Sequence, residues 1–140
     1  MNITIINGPN MNLLGTREPD IYGSKSLTEI NEEVKQLFPE INFTFYQSNV
    51  EGELINFIHE SANKTDVLII NAGGYSHTSV AIADAISALK KPAIDVHLSN
   101  IFAREEYRHH SIVGSKCAGS IIGFGWYSYV LAVQAAQRLI

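Results

Sequence analysis

The sequence contains one cysteine, Cys117, and only four arginines among its 140 residues. A lone cysteine excludes an internal disulfide and a cysteine-based metal cluster, and it suits a reducing compartment. No stretch reaches the ~18 uninterrupted apolar residues that a membrane-spanning helix needs. The first residues also lack the basic region and long apolar run of a signal peptide. We therefore expect a cytoplasmic protein with no membrane partner.

A strong charge of one sign is also absent. The net charge is −4 and no run of lysine and arginine stands out, so nucleic acid is not an expected partner. Apolar residues make up 46% of the chain and charged residues 17%, which is typical of an ordered globular protein. The length predicts a single domain over residues 1–140.

Short β-branched segments alternate with longer segments of helical periodicity. The predicted strands are 2–6, 41–47, 66–71, 92–98 and 120–125, and the predicted helices are 26–38, 52–63, 77–90 and 127–140. Ser26 and Glu29 have the spacing of a capping box at the start of the first helix. The alternation predicts an α/β fold, a parallel sheet with helices on both faces. Five strands favour the flavodoxin-like order 2-1-3-4-5.

The most polar and glycine-marked loops follow predicted strands 1, 3 and 4, with the sequences "NGPNMNLLGTREPDIYG", "NAGGYSH" and "HLSN". These three strands are neighbours in the expected order, and ligands of such folds bind beyond the carboxyl ends of the strands. We therefore expect the unusual polar residues to converge on one edge of the sheet.

The first of these loops is longer than a usual connection of about half a dozen residues, and it places Arg17 and Tyr22 five residues apart. A phenol is a weak base, but a nearby cation favours the phenolate, and arginine keeps its proton. The pair suggests a tyrosine base with an arginine activator. A packing tyrosine and a solvated loop arginine are the alternatives.

His97 ends predicted strand 4, and Asp95 lies two residues earlier on the same face. A carboxylate can orient the ring and favour its protonated form, which suits a general acid. The backbone N–H groups at Ser99 and Asn100 could hold a carboxylate as the chain leaves the strand. The alternative is an ordinary turn after a strand.

The loop after strand 3 carries Asn71 and His77. Ser76 or Thr78 is expected to cap the next helix, whose N-terminal dipole would keep His77 neutral. Asp84 lies two turns later on nearly the same helix face, where it is either solvated or directed at a neighbouring subunit.

Arg104 and Arg108 lie four residues apart in "REEYRHHS", which reads as a short helical turn. They form either a surface network with the adjacent glutamates or an anion site. His109 and His110 are adjacent, which is not metal-ligand spacing, so no metal is predicted.

The segments "NGPNMNLLGTREPDIYG", "NAGGYSHTSVAIADAI", "VHLSNIFAREEYRHHS" and "GFGWYSYVLAV" resemble those of the type II 3-dehydroquinate dehydratases, in order over nearly the whole chain. The resemblance implies a flavodoxin-like fold and a dodecamer built from trimers. It implies an anti elimination of water from 3-dehydroquinate, through an enolate, to give 3-dehydroshikimate. This reaction belongs to the shikimate pathway to aromatic amino acids, or to quinate breakdown. No metal, cofactor or Schiff-base lysine is expected.

The resemblance also implies roles for individual residues. Tyr22 would remove the proton beside the ketone, activated by Arg17, and His97 would protonate the departing hydroxyl. Asn10 would hold a water that stabilises the enolate, and Asp84 would come from an adjacent subunit. The expected substrate contacts from the same chain are Asn71, His77, Leu98, Ser99 and Arg108. The long loop would close over the substrate.

The sequence departs from the family pattern at two positions, with Asp95 where the family usually has Glu and Ala72 where it usually has Pro. We expect activity to survive both. A flavin or phosphate module would need a phosphate loop after strand 1, and a receiver-like domain would need an acidic pocket; the sequence has neither. The remaining alternative is a catalytically inactive assembly subunit of the same fold, against which the intact Arg17, Tyr22 and His97 argue.

Overall fold

The computed structural model, which describes residues 1–140, contains one five-stranded parallel sheet in the order β2-β1-β3-β4-β5. The strands are β1 (Asn2–Asn7), β2 (Asn42–Gln47), β3 (Val67–Asn71), β4 (Ala93–His97) and β5 (Gly119–Ile122). The α/β class and the predicted strand order are therefore confirmed.

Five α-helices accompany the sheet: α1 (Pro19–Tyr22), α2 (Leu27–Leu37), α3 (Glu51–Ser61), α4 (Val80–Leu89) and α5 (Tyr127–Ala136). Apolar side chains of α2 and α5 pack with one face of the sheet, and those of α3 and α4 pack with the other. Every residue of β3 and β4 is buried, as expected for central strands covered by helices on both sides. No helix has the length and apolar character needed to cross a membrane.

The predicted elements differ from the structure mainly at their ends. Ser26 caps α2 as expected, accepting a hydrogen bond from the Glu29 N–H at 3.1 Å. The third predicted helix begins at Val80 rather than His77, because Gly73–His77 forms a separate 3-10 turn. Its cap is Ser79, whose hydroxyl accepts from the Ile82 N–H, so the expectation of Ser76 or Thr78 was wrong.

The loops that follow β1 and β3 touch through their backbones. A β-carbon at Gly8 would lie 2.4 Å from the Ala72 carbonyl oxygen, and one at Gly73 would lie 2.9 Å from the Pro9 carbonyl oxygen. Such distances leave no room for a side chain. Glycine therefore allows these two loops to meet at the edge of the sheet.

We predict that Gly8→Ala lowers the free energy of unfolding by about 1–3 kcal/mol, because the new methyl group must push the two backbones apart. Gly52→Ala is the matched control, since a β-carbon at Gly52 in α3 meets nothing within 4 Å. The control should be neutral or slightly stabilising. Urea unfolding of both variants measures the difference, and equal stabilities would contradict the prediction.

Candidate active site

One cleft lies at the carboxyl ends of β1, β3 and β4. Nine of the ten residues predicted for the site line it: Asn10, Arg17, Tyr22, Asn71, His77, His97, Leu98, Ser99 and Arg108. The tenth, Asp84, is exposed on α4 and does not line this cleft. The structure therefore brings together every predicted residue except the one expected to serve a neighbouring subunit.

The long first loop folds back over the cleft through the short helix α1. Gly15 and Gly23 bracket this segment, and both adopt the positive φ angles that favour glycine, +93° and +86°. Tyr22, the last residue of α1, is 8% exposed. The Arg17 guanidinium carbon lies 5.0 Å from the centre of the Tyr22 ring. The loop thus buries a tyrosine ring against a cation.

The cation that reaches the Tyr22 hydroxyl is Arg104. Its Nη1 lies 2.6 Å from the phenol oxygen, to which it donates a hydrogen bond, and 3.3 Å from Ser99 Oγ. Arg17 contacts the ring, whereas Arg104 contacts the oxygen on which a phenolate charge would reside. A hydrogen bond donated to a charged oxygen favours the charged form.

Arg104 was not among the ten site residues predicted from the sequence. Its position four residues before Arg108 suggested a shared anion site, and both arginines line the cleft. The chain between them is not one helix, since 3-10 turns at Ile101–Ala103 and Glu106–Arg108 flank Arg104. The arginines can therefore point to different partners. Arg108 Nε donates to Glu105 Oε2 at 2.8 Å, so the expected surface network is present as well.

A buried carboxylate holds His97. Asp95 Oδ2 lies 2.8 Å from His97 Nε2, with Asp95 fully buried and His97 5% exposed. Ser120, opposite Asp95 in the register of β4 and β5, donates to the same oxygen at 3.1 Å. The shorter side chain of aspartate therefore reaches the ring. The carboxylate fixes the orientation of His97 toward the cleft.

His77 lies beside His97 with its ring centre 5.8 Å from that of His97. Its Nδ1 lies 2.7 Å from the His110 carbonyl oxygen, which can only accept, so Nδ1 carries the proton. Burial lowers the pKa of His77, and the nearby His97 and Arg108 lower it further. The lowered pKa favours the neutral ring that the sequence predicted. Its main cause is burial, however, and not the dipole of the following helix. Its Nε2 is then a hydrogen-bond acceptor.

Asn71 lies at the end of β3, and both the nitrogen and the oxygen of its side-chain amide have partners within the protein. Nδ2 donates to the Tyr129 hydroxyl at 3.0 Å and contacts the Met11 sulfur at 3.4 Å. Oδ1 accepts from the Gly73 N–H at 3.2 Å. The following residue, Ala72, has a φ of −75°, an angle that proline also adopts. The backbone at Ala72 is thus compatible with the proline that the family usually has.

Acidic and histidine side chains do not gather elsewhere in a metal-binding arrangement: no group of three or more His, Cys, Asp or Glu could hold a metal ion.

The family model described as dehydroquinase class II matches residues 1–137. The chain belongs to this family. It is 50% identical over 145 aligned positions to a 3-dehydroquinate dehydratase of Clostridium perfringens strain SM101, covering 100% of this chain and 98% of the relative. It is 48% identical to the catabolic 3-dehydroquinase 2 of Neosartorya fischeri, covering 99% of this chain and 94% of that one.

A solved structure supports the same assignment. The type II dehydroquinase of Butyrivibrio crossotus superposes with a TM-score of 0.95 and is 39% identical, covering 98% of this chain and 97% of that one. The dehydroquinases are hydro-lyases, so this chain is an enzyme of that class. The family resemblance drawn from the sequence motifs is confirmed.

Proposed function

We propose that this dehydroquinase removes water from 3-dehydroquinate to give 3-dehydroshikimate, with Tyr22 as the base and His97 as the acid. The observation that carries the proposal is the 2.6 Å hydrogen bond from Arg104 to the Tyr22 hydroxyl, in the cleft that also holds the His97–Asp95 pair. An elimination assisted by proton transfer requires a base and an acid. The phenol of Tyr22, which accepts a hydrogen bond from an arginine, suits the base, and the imidazole of His97, which is hydrogen-bonded to a carboxylate, suits the acid.

The first step is removal of a proton from the carbon beside the substrate ketone. Tyr22 takes this proton as the phenolate, which Arg104 stabilises by hydrogen bonding and Arg17 by its charge over the ring. The electron pair of the broken C–H bond moves into an enolate. Asn10, which lines the cleft in a left-handed conformation at the start of a 3-10 turn, would hold the water that stabilises the enolate oxygen.

The second step is loss of the hydroxyl group. The enolate collapses back to the ketone, its electrons form the new carbon–carbon double bond, and the C–O bond to the hydroxyl breaks. His97 donates its proton to the departing oxygen, so that water leaves. Asp95, which accepts a hydrogen bond from His97 Nε2, holds the ring in position throughout.

Different residues of the cleft suit different groups of the substrate. The backbone at Leu98 and Ser99, together with Arg108, suits a carboxylate. Neutral His77 and the Asn71 amide suit hydroxyl groups, because they offer an acceptor and a donor without charge. Closure of the loop that carries Arg17 and Tyr22 would complete the site. That the product feeds the shikimate pathway stays a prediction from the resemblance.

We expect wild-type protein to produce a rise in ultraviolet absorbance with 3-dehydroquinate, because the product contains a conjugated enone and the substrate does not. Tyr22→Phe should abolish the rise, since it removes the base. Treatment of the wild type with borohydride in the presence of substrate should leave the activity intact, because no Schiff base forms. A folded wild-type protein without activity would establish the alternative of an inactive assembly subunit.

We predict that Arg104→Gln lowers kcat by at least about 100-fold, because it removes a donor aimed at the oxygen that bears the charge. Arg104→Lys should recover part of the rate, since it restores the charge without the planar fork of donors. Arg138→Gln, at an exposed position after α5, is the matched control and should behave as wild type. Steady-state kinetics in the same assay measure these values, and an unchanged kcat in Arg104→Gln would refute the role.

We also propose a homo-oligomer, a dodecamer built from four trimers, in which Asp84 completes the site of a neighbouring subunit. Its exposure on α4, outside the cleft of its own chain, supports this placement. Large exposed apolar side chains on the same chain suit burial between subunits, among them Phe102, Tyr107 and Phe124.

The shared site can be tested by mixing two impaired variants. Tyr22→Phe lacks the base and Asp84→Ala lacks the side chain donated to the neighbour. Subunits exchanged by mild denaturation and refolding together should regain activity, because some sites then combine an intact Tyr22 with an intact Asp84. Light scattering reports the assembly state of each sample. Activity no higher than the sum of the separately refolded variants would contradict the shared site.

A further inference from the structure

Tyr129 connects the core of the protein to the floor of the cleft. It is the third residue of α5, is 1% exposed, and does not line the cleft. Its hydroxyl accepts a hydrogen bond from Asn71 Nδ2 at 3.0 Å and donates one to Asn7 Oδ1. Asn7 and Asn71 are register partners at the ends of β1 and β3. One hydroxyl therefore bridges two buried amides on neighbouring strands.

The bridge has a fixed direction. The Asn71 amide donates to Tyr129 while its oxygen accepts from the Gly73 N–H. If the Asn71 amide were reversed, its NH2 group would face the Gly73 N–H, and two donors would meet. The Asn71 oxygen would then face Tyr129, whose hydroxyl would have to donate to it instead of to Asn7. Asn7 Nδ2 has no hydrogen-bond partner, so the bond that Tyr129 donates to Asn7 Oδ1 is the one hydrogen bond that this buried side-chain amide makes. The arrangement therefore selects one orientation of Asn71.

The orientation leaves one donor of Asn71 available to a ligand. One N–H is committed to Tyr129, and the other faces only the Met11 sulfur, a weak acceptor, at 3.4 Å. Met11 and Asn71 both line the cleft. A substrate hydroxyl would replace this weak contact with a stronger one.

We propose that Tyr129 is a positioning residue for substrate binding, which holds the Asn71 amide with an N–H directed to the cleft and acts through Asn71 alone. The inference rests on the proposed substrate contact of Asn71. It predicts an effect on binding rather than on the chemical step, because neither Tyr129 nor Asn7 reaches the reacting groups.

The test is a double-mutant cycle between Tyr129→Phe and Asn71→Ala in the absorbance assay. Tyr129→Phe should raise KM about threefold to tenfold, the range for loss of one oriented hydrogen bond, with kcat within about twofold of wild type. Asn71→Ala should raise KM as well. The double variant should show no increase beyond that of Asn71→Ala, because the amide on which Tyr129 acts is gone.

Two further variants separate positioning from stability. Tyr129→Phe is expected to lower the melting temperature by a few degrees, because it leaves buried amide groups unpaired. Asn7→Ala breaks the bridge at its other end and should raise KM in the same way, again only when Asn71 is present. Tyr127→Phe is the control, because Tyr127 lies in the same helix and is 45% exposed; it should change neither KM nor the melting temperature.

The outcomes distinguish the inference from the proposed function on which it rests. A lower melting temperature with unchanged KM in Tyr129→Phe and Asn7→Ala would overturn the positioning role, leaving a structural one. An equal rise in KM with and without Asn71 would also overturn it. If Asn71→Ala itself bound substrate as wild type does, both the inference and the proposed contact of Asn71 would be wrong.

Discussion

The parallel pairing of β1 with β3 is the constraint on which the rest of the structure depends. It places the carboxyl ends of neighbouring strands side by side, with Asn7 opposite Asn71, and so brings the loops that follow them to one edge of the sheet. The pairing is fully buried, so its register is set by apolar side chains packed on both faces. Irregular loops form the cleft, but the buried sheet determines where those loops begin.

The distribution of arginine follows from what the cleft must do. Three of the four arginines in a chain of net charge −4 line it, where surrounding protein partly excludes water. Each has a different partner: Arg17 a tyrosine ring, Arg104 the hydroxyl of the same tyrosine, and Arg108 a glutamate at the rim. The protein concentrates positive charge at one place while remaining acidic overall, which suits an anionic substrate.

Local patterns in the sequence predicted the strand order, and the family resemblance completed a set of ten predicted site residues, nine of which line one cleft. They did not identify the partner of the Tyr22 hydroxyl, because Arg104 lies 82 residues away and its direction depends on two short 3-10 turns. They also did not single out Tyr129 as a residue that acts on the site. Its hydrogen bonds join α5 to β1 and β3, and contacts between such distant segments cannot be predicted from residue spacing within one segment. Side-chain direction across distant segments is decided by packing.

The position of the proton on His77 determines which kind of group its ring can bind. The His110 carbonyl holds that proton on Nδ1, and burial lowers the pKa of the ring, so that Nε2 of the favoured neutral form presents a lone pair. A hydroxyl group can donate to this nitrogen, whereas a carboxylate would be repelled by it. A substrate bound with its anionic group at His77 would set that group against the lone pair. One backbone carbonyl thereby helps to decide which group of the proposed substrate can lie against His77.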